Sequence, residues 1–335
     1  VIEKNPQGNA KKRLLTIALV LVAFLFVTGT LGSLYLAFYA SERKPPRPDL
    51  EVDALLKKLG IEEPTGILVM RGLNRGEINV LYKKVWAAGF QQERNFAIGA
   101  LLEPWLAQLV MILHDEGKIT FDQEVSSILG DSYAGPSGTI REFLTHSVGI
   151  VDREMNLAVD PRNLEHFTVL SQVIETVTGT PAPQLIAEKI LAPLGMDGTA
   201  FQLSPESSEN EEATWTTTLD DVEIWAKMLN SNRLVKFKTY LQGHTPEKLA
   251  HGKRWLYGFG WKITPWNGLR LEQTGHFGSA ANYSLLRLPQ KNFFVFVASE
   301  ASASRFDTDS FARDVARMYV GREFARPFRV ENSQP

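Results

Sequence analysis

The chain has 335 residues, 44% hydrophobic and 22% charged, the composition of a globular protein of one large or two small domains. With 36 basic and 38 acidic residues the net charge is −2, so there is no basic field to draw nucleic acid and no acidic field to draw a cationic partner. Cysteine is absent, which excludes a disulfide framework, a thiolate nucleophile and thiolate-bound zinc; the six histidines include no pair at helical metal-ligand spacing, so no metal and no cofactor is expected.

The first element is apolar. Residues 14–40 carry no charge, and the bilayer core of about 30 Å needs only about 20 apolar residues in helix, so the run is long enough to span. A cleavable signal peptide would end in a small-x-small site, whereas the exit here is Phe38-Tyr39-Ala40. Lys4, Lys11, Lys12 and Arg13 precede the run and predict a cytoplasmic arm over 1–13, with the rest outside an inner membrane, although Arg43, Lys44 and Arg47 follow it. Gly29, Gly32 and Ser33 put small residues on one face of the span, where a neighbouring helix could pack closely; small residues are also simply common in membrane helices. Residues 41–50 read as a charged, proline-rich stalk, 51–325 as the main domain and 326–335 as a tail.

Within the main domain a short helix is expected around Leu50–Leu59, then strands at Thr65–Met70 and Ile78–Tyr82. A helical middle follows. Pro104 suits a first helical turn, and Leu106, Leu109, Val110 and Leu113 recur at helical period. Thr139-Ile-Arg-Glu142 predicts a capping box, and further helices are read at Val169–Val177, Leu185–Leu191 and Leu219–Leu229. The C-terminal part switches to period two, with strands at Tyr257–Ile263, Leu269–Gln273, Ala281–Leu288 and Phe293–Val297, a hairpin turn at Leu288–Asn292 and a covering helix from Arg305 to Tyr319. Strands at both ends of a helical insertion predict one sheet built from distant segments. Most of the tryptophans are expected in the core, and an exposed aromatic patch would mark a docking surface.

Several phrases resemble one family. Phe96-Ala-Ile-Gly99-Ala100-Leu-Leu-Glu103 is similar to the Phe-x-Ile-Gly-Ser-x-x-Lys signature of the serine β-lactamases and penicillin-binding proteins. In the same order come Leu144-Thr-His-Ser-Val-Gly-Ile150, Ile174-Glu-Thr-Val-Thr-Gly179, Leu191-Ala-Pro-Leu-Gly-Met196 and Tyr257-Gly-Phe-Gly-Trp261, followed by His276-Phe277-Gly278. The resemblance covers most of Gly66 to Gly321 and implies an α+β fold, an antiparallel sheet flanked by helices with a helical subdomain, here preceded by one transmembrane helix.

The family's chemistry needs a serine at a helix N-terminus and a lysine one turn later to take its proton. By the resemblance those places fall to Ala100 and Glu103, and the second motif, usually Tyr-x-Asn or Ser-x-Asn, falls on Arg162-Asn163-Leu164. His276 and Gly278 fit the tolerated His-x-Gly form of the third motif, with the bulky Phe277 between them. No residue is therefore expected to act catalytically. A Glu103–Arg162 ion pair could plug the old cleft, or Glu103 could be exposed or cap its helix. The expectation is a non-catalytic accessory subunit that meets the lipid bilayer and other membrane proteins of a larger complex, and no nucleic acid. Two alternatives stand beside it: a hydrolase using His276 as base with Ser279 or Ser147 as nucleophile, and a receptor for cell-wall peptides.

Overall fold

The computed structural model describes residues 48–61, 66–72, 78–86, 96–97, 102–148, 164–202, 214–247, 255–277, 281–300 and 306–320. The predicted span over 14–40 with Gly29, Gly32 and Ser33, the stalk up to residue 47 and the tail lie outside them. Among the described residues no helix is long and apolar enough to cross a membrane. The chain divides into two units between Glu51 and Val52. Of the first unit only the opening turn of helix α1 (Pro48–Leu59) is described.

The second unit is built on a sheet of seven strands among the described residues, all antiparallel, in the order β2-β1-β10-β9-β8-β7-β6. Its members are β1 (Gly66–Gly72), β2 (Ile78–Val85), β6 (Tyr257–Gly258), β7 (Trp261–Trp266), β8 (Leu269–Phe277), β9 (Ala281–Leu288) and β10 (Phe293–Glu300). The two N-terminal strands join the C-terminal ones where β1 pairs with β10, Val69 opposite Val295, as strands at both chain ends require. Period-two alternation then sends each strand's apolar residues to two cores. Ile67, Val69, Leu286, Leu288, Val295 and Val297 face one, which Val52 and Leu56 of α1 and Phe311 and Val315 of helix α10 (Thr308–Val320) complete. Leu68, Met70, Leu285, Phe294 and Phe296 face the other, beneath the helical layer. A strand apolar at every position is thus buried on both faces, and this is why β1 reads as an unbroken run.

The helical layer comprises α2 (Leu102–Asp115), α3 (Val125–Leu129), α4 (Ile140–Leu144), α5 (Leu164–Thr178), α6 (Ala182–Ile186), α7 (Ala192–Leu194), α8 (Leu219–Ser231) and α9 (Phe237–Gly243). A single π turn, Ala187–Leu191, links α6 to α7. The capping box forms as read: the Thr139 hydroxyl accepts from the Glu142 amide, and the Glu142 carboxylate accepts from the Thr139 amide at 2.7 Å. Replacing Thr139 with Ala is expected to cost about 1 kcal/mol in urea unfolding, because it leaves the first turn of α4 with an orphan donor.

Three local readings need correction. Tyr257–Ile263 is not one strand: the chain reverses at Phe259-Gly260, where Gly260 takes φ 72°, and β6 pairs back onto β7. A second, three-stranded sheet of β3 (Phe96–Ala97), β5 (Thr214–Thr217) and β4 (Ala200–Gln202) was not legible, its strands being two to four residues long. Helix α9 was also missed, being seven residues long with its apolar pair Phe237 and Leu241 turned outward rather than to the core. The tryptophan expectation holds for Trp105, Trp215, Trp225 and Trp261, each nearly inaccessible; Trp255 and Trp266 are half-buried.

Candidate functional site

Helix α2 starts where the first signature phrase ends, so Glu103 sits in its first turn. The helix is fixed by Trp105, which packs edge-on against Trp215 of β5 and Trp225 of α8 with ring centroids at 5.6 and 6.1 Å. Across from it runs the β6–β7 turn. A Cβ on Gly260 would lie 2.8 Å from the Glu103 carbonyl oxygen, and one on Gly258 would lie 2.4 Å from the Gly243 carbonyl oxygen. The Tyr-Gly-Phe-Gly-Trp phrase therefore has a physical reading: its two glycines let the hairpin touch the start of α2 and the end of α9.

The Glu103 side chain is buried, which removes the exposed alternative. Its Oε2 lies 3.6 Å from Nε2 of His146, which is more deeply buried still. That distance is an electrostatic contact rather than a hydrogen bond. His146 follows α4 in a left-handed backbone conformation, φ 55°, unusual for a side-chain-bearing residue. Its ring is walled by Phe167 at 5.2 Å and by His166 and Tyr257 at 5.6 Å each. The loop is pinned on either side: Trp255 donates its indole N–H to the Thr145 carbonyl at 2.6 Å, and the Thr145 and Ser147 hydroxyls lie 3.0 Å apart. Tyr283 approaches from β9. Burial above all, then the Glu103 charge, pushes its phenol well above the usual tyrosine range, against a Thr274 hydrogen bond that pulls it down.

Of the residues singled out in the sequence, the structure thus places Glu103 in a buried polar group, and its described neighbours are His146 and Tyr283. His276 is on β8 opposite Tyr283, and Leu164 is the first residue of α5; their side chains are outside the description. Ala100, Arg162 and Gly278 lie outside the described residues, as does any Glu103–Arg162 contact. In the sequence nothing local marks a role for His146, which stands inside the Leu-Thr-His phrase, or for Tyr283 on its strand; tertiary packing of helix α2 brings Glu103 to both. Ser147 bonds to Thr145, and no bond joins it to a base among the described residues. Among the described residues no three metal-ligating side chains converge.

A second buried cluster holds β8, β9 and α9 together. The Glu272 carboxylate, fully buried, lies 3.1 Å from Arg287, 3.0 Å from Arg270 and 3.0 Å from Nδ1 of His244. Arg287 also donates to the Tyr240 hydroxyl at 3.0 Å and to the Leu229 carbonyl. Burial alone would raise the Glu272 carboxyl; the Arg287 charge first, then His244 and Arg270, overcome it and hold the group at about 2. Burial pushes His244 down despite Glu272, with Arg287 and Arg270 assisting, so the ring is neutral and donates Nδ1–H to the carboxylate. Both groups bind protons less readily folded than unfolded. Their stabilisation is present above their unfolded values, near 6.5 for histidine and 4.3 for glutamate, and is lost as pH falls below each. The urea midpoint is expected to drop from pH 7.5 to 5, and His244→Gln, which keeps the donor, should flatten that decline.

The architecture is that of the α+β proteins in which one antiparallel sheet is covered by helices on both faces. Residues 91–317 match the Beta-lactamase family model, and the chain belongs to that family. It is 29% identical over 146 residues to a D-aminopeptidase of Brucella ovis, covering 36% of this chain and 27% of the relative, so it spans about a quarter of that protein's length. In fold it is similar to an octameric penicillin-binding protein homologue from Pyrococcus abyssi, with a TM-score of 0.62, 18% identity and coverage of 81% of this chain and 77% of the other. A beta-lactamase/D-alanine carboxypeptidase from Yersinia pestis superposes with a TM-score of 0.58 at 14% identity, covering 81% of this chain and 98% of that one.

Proposed function

We propose that this chain is a membrane-anchored member of the family that no longer hydrolyses, and that it serves as a structural or accessory subunit of a larger membrane complex. One observation carries the reading. The sequence offers a methyl group at Ala100 where the signature has its serine, and one turn on it offers a carboxylate, Glu103, which is buried against His146. With a methyl group at Ala100 there is no hydroxyl proton for Glu103 to accept, and its negative charge opposes a developing anion where a lysine would stabilise it. Loss of a positioned nucleophile alone removes about six orders of magnitude in turnover in serine hydrolases. The uncharged run over 14–40 supports an anchor in the inner membrane, with its N-terminal arm cytoplasmic and the domain outside.

The purified chain is expected to take no covalent label from a fluorescent penicillin and to leave a chromogenic ester intact; a penicillin adduct on any residue would sink the reading. In mild detergent a stoichiometric membrane partner is expected, and a monodisperse monomer would refute the subunit role. The strained backbone at His146, held beside a buried carboxylate, favours one alternative, a hydrolase that activates water through this pair, since such strain gathers at active sites. Ester turnover abolished by His146→Gln would establish it.

A further inference from the structure

Helix α9 turns an apolar, basic face to solvent. Phe237 is 67% exposed, the largest exposure of any bulky apolar residue described, and Leu241, one turn on, is 44% exposed. Thr239 and Gly243 on the opposite side are buried, Thr239 donating its hydroxyl to Asp115 at 2.6 Å, so the helix is locked and its outward face is fixed. Leu256, 41% exposed, belongs to the segment whose Tyr257 carbonyl and Phe259 amide bond to Glu247 and Gly243 at the C-terminal end of the same helix. Between Asn232 and Pro246 the chain carries Arg233, Lys236 and Lys238 and no acidic residue, in a protein of net charge −2. All three are exposed. Lys236 leans on Asp115, while Arg233 and Lys238 make no ion pair among the described residues.

We propose that this face of α9 docks on an anionic phospholipid surface, Phe237 and Leu241 entering the headgroup–acyl boundary and the basic side chains meeting lipid phosphates. Aromatic and aliphatic residues on one side with lysine or arginine beside them is the chemistry of an interfacial segment, and an anchored domain meets the bilayer without the cost of finding it. The proposal rests on the reading of residues 14–40 as a membrane anchor. Seven residues, 41–47, separate that run from α1, a reach of at most about 25 Å when fully extended. A protein partner would be expected to pair the free cations with carboxylates and would not depend on lipid charge.

The chain has no cysteine, so a single Thr245→Cys carries an environment-sensitive fluorophore one turn beyond Leu241, giving up the Thr245 hydroxyl's bond to the Leu241 carbonyl but no side chain of the face. The chain over residues 1–335 is reconstituted into vesicles of phosphatidylcholine with or without phosphatidylglycerol. With the anionic lipid a blue shift and loss of iodide quenching are expected, both abolished by Arg233→Gln, Phe237→Ser and Lys238→Gln together. A reporter equally quenched in both vesicle types overturns the proposal, and so does a shift that appears in lipid-free detergent and grows with protein concentration, which would mean a second copy covers the face. Alkaline carbonate extraction separately reads the anchor. A chain stripped from the vesicles refutes the anchor alone, because the same reporter still shows whether the face meets phosphatidylglycerol vesicles.

Discussion

Glu272→Ala is expected to lower the free energy of unfolding by about 3–5 kcal/mol, the largest loss from any single polar substitution here. The magnitude comes from what is left behind. Arg287 is nearly inaccessible and cannot turn to water, so removing Glu272 strands a guanidinium that retains only the Tyr240 hydroxyl and backbone or amide acceptors. His244 loses its acceptor in the same step. Glu272→Gln should cost less than Glu272→Ala, since it keeps an acceptor, yet it still leaves Arg287 without a counter-charge. Urea titration followed by far-ultraviolet dichroism measures both, and a loss under 1 kcal/mol for Glu272→Ala would mean that Arg287 finds another anion or water.

Trp105→Ala is expected to destabilise the fold by about 3–5 kcal/mol through the cavity it opens between α2, β5 and α8. The consequence reaches the candidate site, because Trp105 follows Glu103 by two residues and its two edge-on ring contacts set where the first turn of α2 begins. The small sheet should loosen as well, since Trp215 would keep only its contact with Phe201 among the described aromatic pairs. Hydrogen exchange is expected to rise first in β5 and the start of α2, while β1 and β10 stay protected. Uniform loss of protection across both sheets would show that Trp105 is only one part of a common core.

Much of this architecture was legible because its elements are long and their periods clean. The α8 segment Leu219–Ser231 repeats apolar residues at helical spacing, β10 opens on an unbroken apolar run from Phe293 to Ala298 that feeds the two cores in turn, and the Thr139 capping box is a purely local exchange of two hydrogen bonds. Where the reading failed, local signals were too short or meant two things at once. Tyr257–Ile263 carries strand-like residues throughout, but Gly260 accommodates a positive φ and a contact with the Glu103 backbone, so the chain folds back there. Helix α9 is held by Asp115, 121 residues away along the chain, which bonds the Lys236 amide at 2.6 Å. No local window contains that interaction.

The covalent chain fixes which chemical groups exist at the candidate site, a methyl at Ala100, a carboxylate at Glu103 and no thiol anywhere, since composition and order are facts that folding cannot alter. It also determined the class of fold, through hydrophobic period and ordered family phrases. Tertiary structure alone decided that Glu103 lies beside His146 and Tyr283, that Glu272 is bound by two arginines and a histidine, and that Phe237 is left outside. Each of those depends on groups far apart in the chain, and the strength of a charge or the worth of an apolar side chain is set by whether water reaches it.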